Sequence, residues 1–337
     1  MTSFLNIDMD DVLVDEDASG TTVGSDVAGY LLIKRVVIEG ANAISSPLTY
    51  GFPAVTGFLG GFHAISRRLA EVEGLSGISL GGVLLACHDC TPRIYRENRY
   101  SDYTFNQTRN PIKRDGTTAS IIEEGKCRLV MTFAVEVCAD TALTETQTEL
   151  LTQSISKYIW QHRMAGGSVQ GLAYDKPVHF FSYDKVGELK QHLLPAFVLM
   201  EAQQEFADII DEVKQESPEA TELDALIDLC CLHHIPDTSL DDTGWQVVSR
   251  KSGRGWLVPI PIGYQGVSEL YEPGVMQNTR SPERPSQYVE TLYSLGKWVY
   301  PQRFGGVGDT YDIANAFWRH HYKPNNDLYL VTQNPNA

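Results

Sequence analysis

Apolar positions change their period several times along the chain, and each change predicts an element. Tyr30 to Gly40 (YLLIKRVVIEG) is dense in β-branched and aliphatic residues and predicts a strand. From Val55 the period lengthens. Val55, Phe58, Leu59, Phe62, Ile65 and Leu69 recur every three or four residues, as an amphipathic helix requires. Pro53 fits near its first turn, and Arg67 and Arg68 complement the dipole near its end. ISLGGVLLACHD predicts a second strand and Cys127 to Val137 a third. Thr144 with Gln147 makes a capping-box pattern ahead of a helix whose Leu151, Ile155, Tyr158 and Ile159 share a face; Gly166-Gly167 is expected to end it. Pro177 to Tyr183 and Ala196 to Met200 predict short strands. Two acidic amphipathic helices are expected near 202–215 and 221–232, and strands from Trp245 to Ile262 around a loop at Ser252-Gly253. Further helices are expected near 285–299 and 309–320.

The first 200 residues therefore run β-α-β, a polar insertion, then β-α-β. That order predicts an α+β chain built on a ferredoxin-like (RRM-like) domain, a common RNA-binding scaffold. Residues 1–28 are acidic and aperiodic and read as a disordered tail; 29–201 form the domain, with an insertion over about 91–118. Residues 202–337 add helical and β elaborations to the same body.

The helix beginning near Val55 contains Gly57, Gly60 and Gly61, each costing roughly 1 kcal/mol against alanine. With Ala64 they leave one flank almost bare. Two compatible readings follow: close packing against another backbone, or close approach of a flat ligand. Ser45, Ser46 and Thr49 precede the helix, where free N–H groups favour a phosphate.

Charge alters this picture more than bulk composition does. The net charge of −16 argues against a nucleic-acid partner, but its distribution does not. Residues 1–26 hold seven acids and no base, and 201–228 hold ten acids and one base, Lys214; the remainder is neutral overall. Within it, 93–114 carries six bases (Arg93, Arg96, Arg99, Arg109, Lys113, Arg114) against Glu97 and Asp102. Tyr95, Tyr100, Tyr103 and Phe105 interleave with these bases. Cations for phosphates and rings for bases suit single-stranded RNA, and Asn106, Gln107 and Asn110 suit base edges. The plain alternative is an exposed loop.

The remaining chemistry is weaker. Cys87-x-x-Cys90 with Cys230, Cys231, His233 and His234 would suit zinc, but no second C-x-x-C exists and buried thiols are the better reading. His63, His320 and His321 have no partner identifiable from spacing. Gly166-Gly167 lacks the lysine of a phosphate-binding loop. No metal or cofactor is expected. The chain opens without a basic-then-apolar signal, and its longest apolar run, Leu193 to Met200, is broken by Pro195, so the expectation is a soluble cytoplasmic protein.

Several blocks resemble a known family: NAISSPLTYGFPAVTGFLGGFHAISRR, TRNPIKRDGTTASIIEEG, MAGGS, EATELDALIDLC and GWLVPIPIGYQGVSELYEPG. They look like subunit two of the type I-F (Csy-type) CRISPR surveillance complex, a Cas-five-like member of the RAMP superfamily, in the expected order from about Leu31 to Arg303. The resemblance implies a modified ferredoxin-like domain with a thumb-like hairpin, which would be the basic segment 93–114. It implies a heterodimer with the large subunit that holds the 5′ handle of the CRISPR RNA. It also implies contact with the adjacent backbone subunit, target DNA reached through the complex, and no nuclease activity in this subunit. On that basis Arg109, Asn110, Lys113 and Arg114 are expected at the RNA, with Arg93, Arg96 and Arg99. The loop Asn42 to Phe52, with Ser45 and Ser46, and the turn at Gly166 and Gly167 would form a cradle. Arg250, Lys251 and Arg254 would reach RNA or target DNA, and the acidic helices at 202–228 would meet basic protein surfaces. The alternative is a RAMP endoribonuclease cutting repeat RNA with His63 as base.

Overall fold

The computed structural model describes residues 27–172, 176–237, 244–279, 281–305, 311–323 and 327–333. The tail read over 1–28 lies outside these, except that Val27 and Ala28 already belong to the first strand. That strand, β1 (Val27–Asn42), leads into α1 (Val55–Leu69) and β2 (Ser79–Pro92). The insertion holds β3 (Ile94–Tyr95), β4 (Thr104–Arg109) and β5 (Ile121–Glu124). Then come β6 (Lys126–Cys138), α2 (Glu145–Gln161), β7 (Arg163–Met164), β8 (Gly167–Leu172) and β9 (Val178–Ser182). The second part adds α3 (Leu189–Leu193), β10 (Phe197–Glu201), α4 (Gln203–Glu216), α5 (Glu222–Cys230), β11 (His233–Asp237) and β12 (Gly244–Val248). It ends with β13 (Trp256–Gly266), β14 (Val289–Val299), β15 (Arg319–Lys323) and β16 (Leu328–Thr332).

One sheet of 11 strands runs β15-β16-β13-β14-β10-β2-β6-β1-β8-β7, with β9 also on β1. Its pairings are antiparallel, and the order at its centre is β2-β6-β1-β8. Alternation along β1 and β6 sends side chains to two cores. On one face α1 lays Phe58 and Phe62 against Phe133, with ring centroids 5.7 and 5.2 Å apart. On the other, Leu189, Leu193, Phe304 and Phe317 cover Leu32, Leu84 and Ala134. Each such buried Leu or Phe contributes about 1.5–3 kcal/mol. A third cluster seats α4 and α5 on Leu257 of β13 and Leu295 of β14.

The sheet curls back on itself. Beyond the β10 pairing, the outer edge of β2 takes a bridge from Trp318 to Val83, and the Trp318 indole N–H donates to Leu199 O at 3.0 Å. Next to it Arg319 forks onto Glu136, a buried carboxylate on β6 that also accepts the Gly82 N–H at 2.8 Å.

Three expectations change. The segment expected as a helix near 285–299 is β14. The one near 309–320 is a short 3-10 turn at Ile313–Asn315 followed by β15, with 309 and 310 outside the described residues. Leu292, Leu295 and Trp298 recur every third residue and imitate a helical face, yet β14 pairs with β13 along its length and with β10 at its end. The second helix ends at Gln161, its Thr144–Gln147 capping box intact; Gly166, at φ +80°, turns the β7–β8 hairpin. Strands β12 and β13 flank the Ser252-Gly253 turn, but β12 pairs with β11.

The glycines of α1 divide between two environments. A Cβ on Gly57 would lie 3.1 Å from Ala165 Cα, and one on Gly61 would lie 2.6 Å from Met164 Sδ and 3.2 Å from Arg163 O. These two therefore admit the β7 hairpin. Gly60 faces open space.

Candidate nucleic-acid interface

The insertion is an arm of three short strands, β3-β4-β5, where a single hairpin was expected. It springs from the end of the β2–β6 pair, where the Arg93 N–H donates to Lys126 O at 2.8 Å. Its tip is a tight turn. Gly116 takes φ +80°, its N–H donates to Lys113 O at 2.9 Å, and Lys113 N–H donates to Thr117 O at 3.0 Å. Asp115 accepts from the Thr117 hydroxyl and N–H at 2.7 and 3.0 Å, which holds its carboxyl below the usual range. Arg109, Asn110, Lys113 and Arg114 project around this turn, all exposed. Among the described residues the side chains of Arg99, Arg109, Lys113 and Arg114 have no partner.

The other arm cations are engaged. Arg96 donates to Ser101 O at 2.8 Å and lies 4.8 Å from the centre of the Tyr103 ring, closing its own loop. Arg93 pairs with Glu39 at 2.9 Å. Arg128 bridges Glu39 and Asp89 at 3.0 and 3.1 Å. Lys126 and Arg128 were missed in the sequence reading. Their spacing of two, opening the β6 alternation, was the available signal.

The loop 42–52 and the turn 166–168 do meet. Lys126 Nζ donates to Asn42 Oδ1 at 2.9 Å, Asn42 N–H donates to Ala165 O at 2.9 Å, and a Cβ on Gly166 would stand 2.6 Å from Asn42 Nδ2. Gly167 is pressed against Ala41. The Ser45 and Ser46 hydroxyls lie within 2.7 Å of Thr49 Oγ1, so they close the loop on itself. Ala54 precedes α1 without a side-chain cap. The loop reaches the arm through Tyr50, whose ring meets Phe105 edge-on at 5.7 Å.

Arg250 and Arg254 face the acidic helices. Arg250 forks onto Glu216 and reaches Asp228 at 2.7 Å, and Arg254 pairs with Glu212. Lys251, between them, has no such acid. The two candidate thiol clusters lie on different elements: Cys87 and Cys90 on β2, Cys230 at the end of α5 and Cys231 just beyond. Burial raises the Cys87 thiol. His233 pairs with Asp228 at 2.6 Å, and among the described residues no three metal-ligating side chains converge. His63 is exposed on α1, 6.3 Å ring to ring from His320, whose Nδ1 lies 2.7 Å from Tyr329 OH. Burial, then His63 and His321, lower the His320 imidazole. No described helix is long and apolar enough to cross a membrane.

The family model for CRISPR-associated protein Csy2 matches residues 31–331. The chain belongs to the Csy2 family. The CRISPR-associated protein Csy2 of Pseudomonas aeruginosa (strain UCBPP-PA14) is 35% identical over 325 residues, covering 90% of this chain and 95% of that relative. The blocks that resemble Csy-type subunit two, from Leu31 to Arg303, fall inside the span matched to Csy2, which also takes in the arm and β13 to β16.

Proposed function

We propose that the chain is a non-catalytic subunit of a type I-F CRISPR RNA-guided surveillance complex in the cytoplasm. It pairs with the large subunit and grips the 5′ handle of the CRISPR RNA. Csy2 family membership supports the assembly. The antiparallel order β2-β6-β1-β8, with helices α1 and α2 on one face, supports a ferredoxin-like RAMP scaffold. The observation that carries the RNA reading is the arm tip, where Arg109, Lys113 and Arg114 stand exposed and unpaired around one turn, with no acid among the described residues within ion-pair distance. Lys126, Asn42 and the Gly166 turn lie at the arm's root as a second contact region. Arg250 and Arg254, already neutralised, contribute less than Lys251. The acidic helices α4 and α5 suit a basic face on a neighbouring backbone subunit, and target DNA is met only through the assembly.

Replacing Arg109, Lys113 and Arg114 with alanine should weaken binding of handle RNA and lower the salt slope by about 2, at roughly 0.7 per lost phosphate contact. Unchanged affinity with an unchanged slope overturns the assignment. The competing endoribonuclease reading requires cleavage of repeat RNA by the purified chain that His63→Ala abolishes. Its only structural support is the pairing of His63 with His320, and among the described residues no carboxylate orients either ring.

A further inference from the structure

A cavity of about 560 Å³ opens where the arm joins the main sheet, within the ~300–1,000 Å³ range of small-molecule sites. Strand parity brings most of its lining side chains onto one face. Tyr95 lies opposite Thr104 and Glu124 opposite Asn106, while Thr104, Asn106 and Thr108 alternate along β4. These five residues therefore share one face of the arm, and all line the cavity. Phe105 and Gln107, of the opposite parity, also line the cavity, and the Phe105 ring meets Tyr50 edge-on. Two cations, Arg93 and Lys126, sit at the cavity's inner end. Each uses one contact elsewhere, Arg93 on Glu39 and Lys126 on Asn42, and keeps further N–H donors.

We infer that this cavity holds one unstacked nucleotide of the bound RNA and prefers guanine there. The inference rests on the RNA-binding reading above and deepens it. Tyr95 supplies a ring to stack on a base. The carboxylate of Glu124 accepts and does not donate. Among the four RNA bases only guanine carries two adjacent donors, N1–H and the N2 amino group, on its pairing edge, and these match the two carboxylate oxygens. The neighbouring Asn106 amide N–H is placed to donate to guanine O6. Adenine and cytosine put an acceptor nitrogen beside their amino group, and uracil puts carbonyls on both sides of its single N–H; each sets an acceptor against the carboxylate. Arg93 and Lys126 then take the adjoining phosphates.

The test uses the full chain and dye-labelled eight-nucleotide uridine RNAs with one central guanosine, adenosine or cytidine, read by fluorescence anisotropy. The guanosine RNA should bind about tenfold tighter than the adenosine RNA, the size of one good bidentate base contact. Glu124→Gln, which keeps the shape and adds a donor, should reduce that ratio to within about twofold, and Asn106→Ala should reduce it by about threefold. Equal binding of the guanosine and adenosine RNAs, or a preference that survives Glu124→Gln, overturns the inference. RNA binding that depends on Arg109, Lys113 and Arg114 but ignores base identity removes the pocket alone. No binding to any of the RNAs removes both the pocket and the arm.

Discussion

Gly57 and Gly60 occupy the same helix three residues apart and carry opposite consequences. Nothing lies within 4 Å of a Cβ at Gly60, so Gly60→Ala should recover the helix propensity, raising unfolding free energy by about 0.5–1 kcal/mol in urea melts. Gly57→Ala should gain nothing, because its methyl meets the Ala165 backbone at 3.1 Å. Equal stabilisation by both would refute the packing account. The Ser45 and Ser46 hydroxyls teach a related lesson: their composition suggested a phosphate cradle, but a hydroxyl's partner depends on the turn around it, which sequence spacing does not reveal. His88 provides a test by pH. Burial, then Arg35, push its imidazole down to about 4, while its unfolded value stays near the ordinary one. The unfolded chain then binds the extra proton first, so stability is complete above about pH 6.5 and is lost as pH falls toward 4. Discounted for partial solvent access, this amounts to about 1 kcal/mol. Burial also lowers His179, His192 and His320, which act in the same direction. In pH-dependent melts His88→Gln should flatten part of the acid slope.

The arm behaves as a separable element. Its three strands pair with one another, and their link to the main sheet runs through the hydrogen-bonded neck at Arg93 and Lys126, the Ala43 N–H donated to Gly125 O, and Phe105, which meets Tyr50 and the edge of the core. Replacing 94–125 with a short Asn-Gly turn should leave the melting temperature within a few degrees of wild type and abolish RNA retention on a filter. A large loss of stability would show that the arm belongs to the core. Elements with one buried face, such as α1 and α2, were legible because burial leaves its period in the residues, and β6, buried on both faces, was legible as a β-branched apolar run. The arm was legible from charge, but not its division into three strands, because β4 and β5 are exposed on both faces and carry no apolar alternation. The strand β14 was misread for the opposite reason, lying between two neighbours with an apolar run that fits either period.

Across the whole molecule, charge is sorted by location. Acids of α4 and α5 neutralise Arg250 and Arg254, while Arg99, Arg109, Lys113 and Arg114 of the arm carry no such partner among the described residues. The C-terminal strands are tied to the first domain through Arg319 on β15 and the buried carboxylate of Glu136 on β6. Arg319→Ala would leave that carboxylate with the Gly82 N–H as its remaining donor among the described residues, costing about 3–5 kcal/mol in a urea melt; Glu136→Gln combined with Arg319→Met should cost less than Arg319→Ala alone. This connection could not be read from the sequence, because it joins residues 183 positions apart by topology and not by pattern. Its position also orders the birth of the molecule. The outer edge of β2 stays naked beside Val83 until Trp318 emerges from the ribosome, so a nascent chain stalled before Trp318 presents a ready-made template for mispairing.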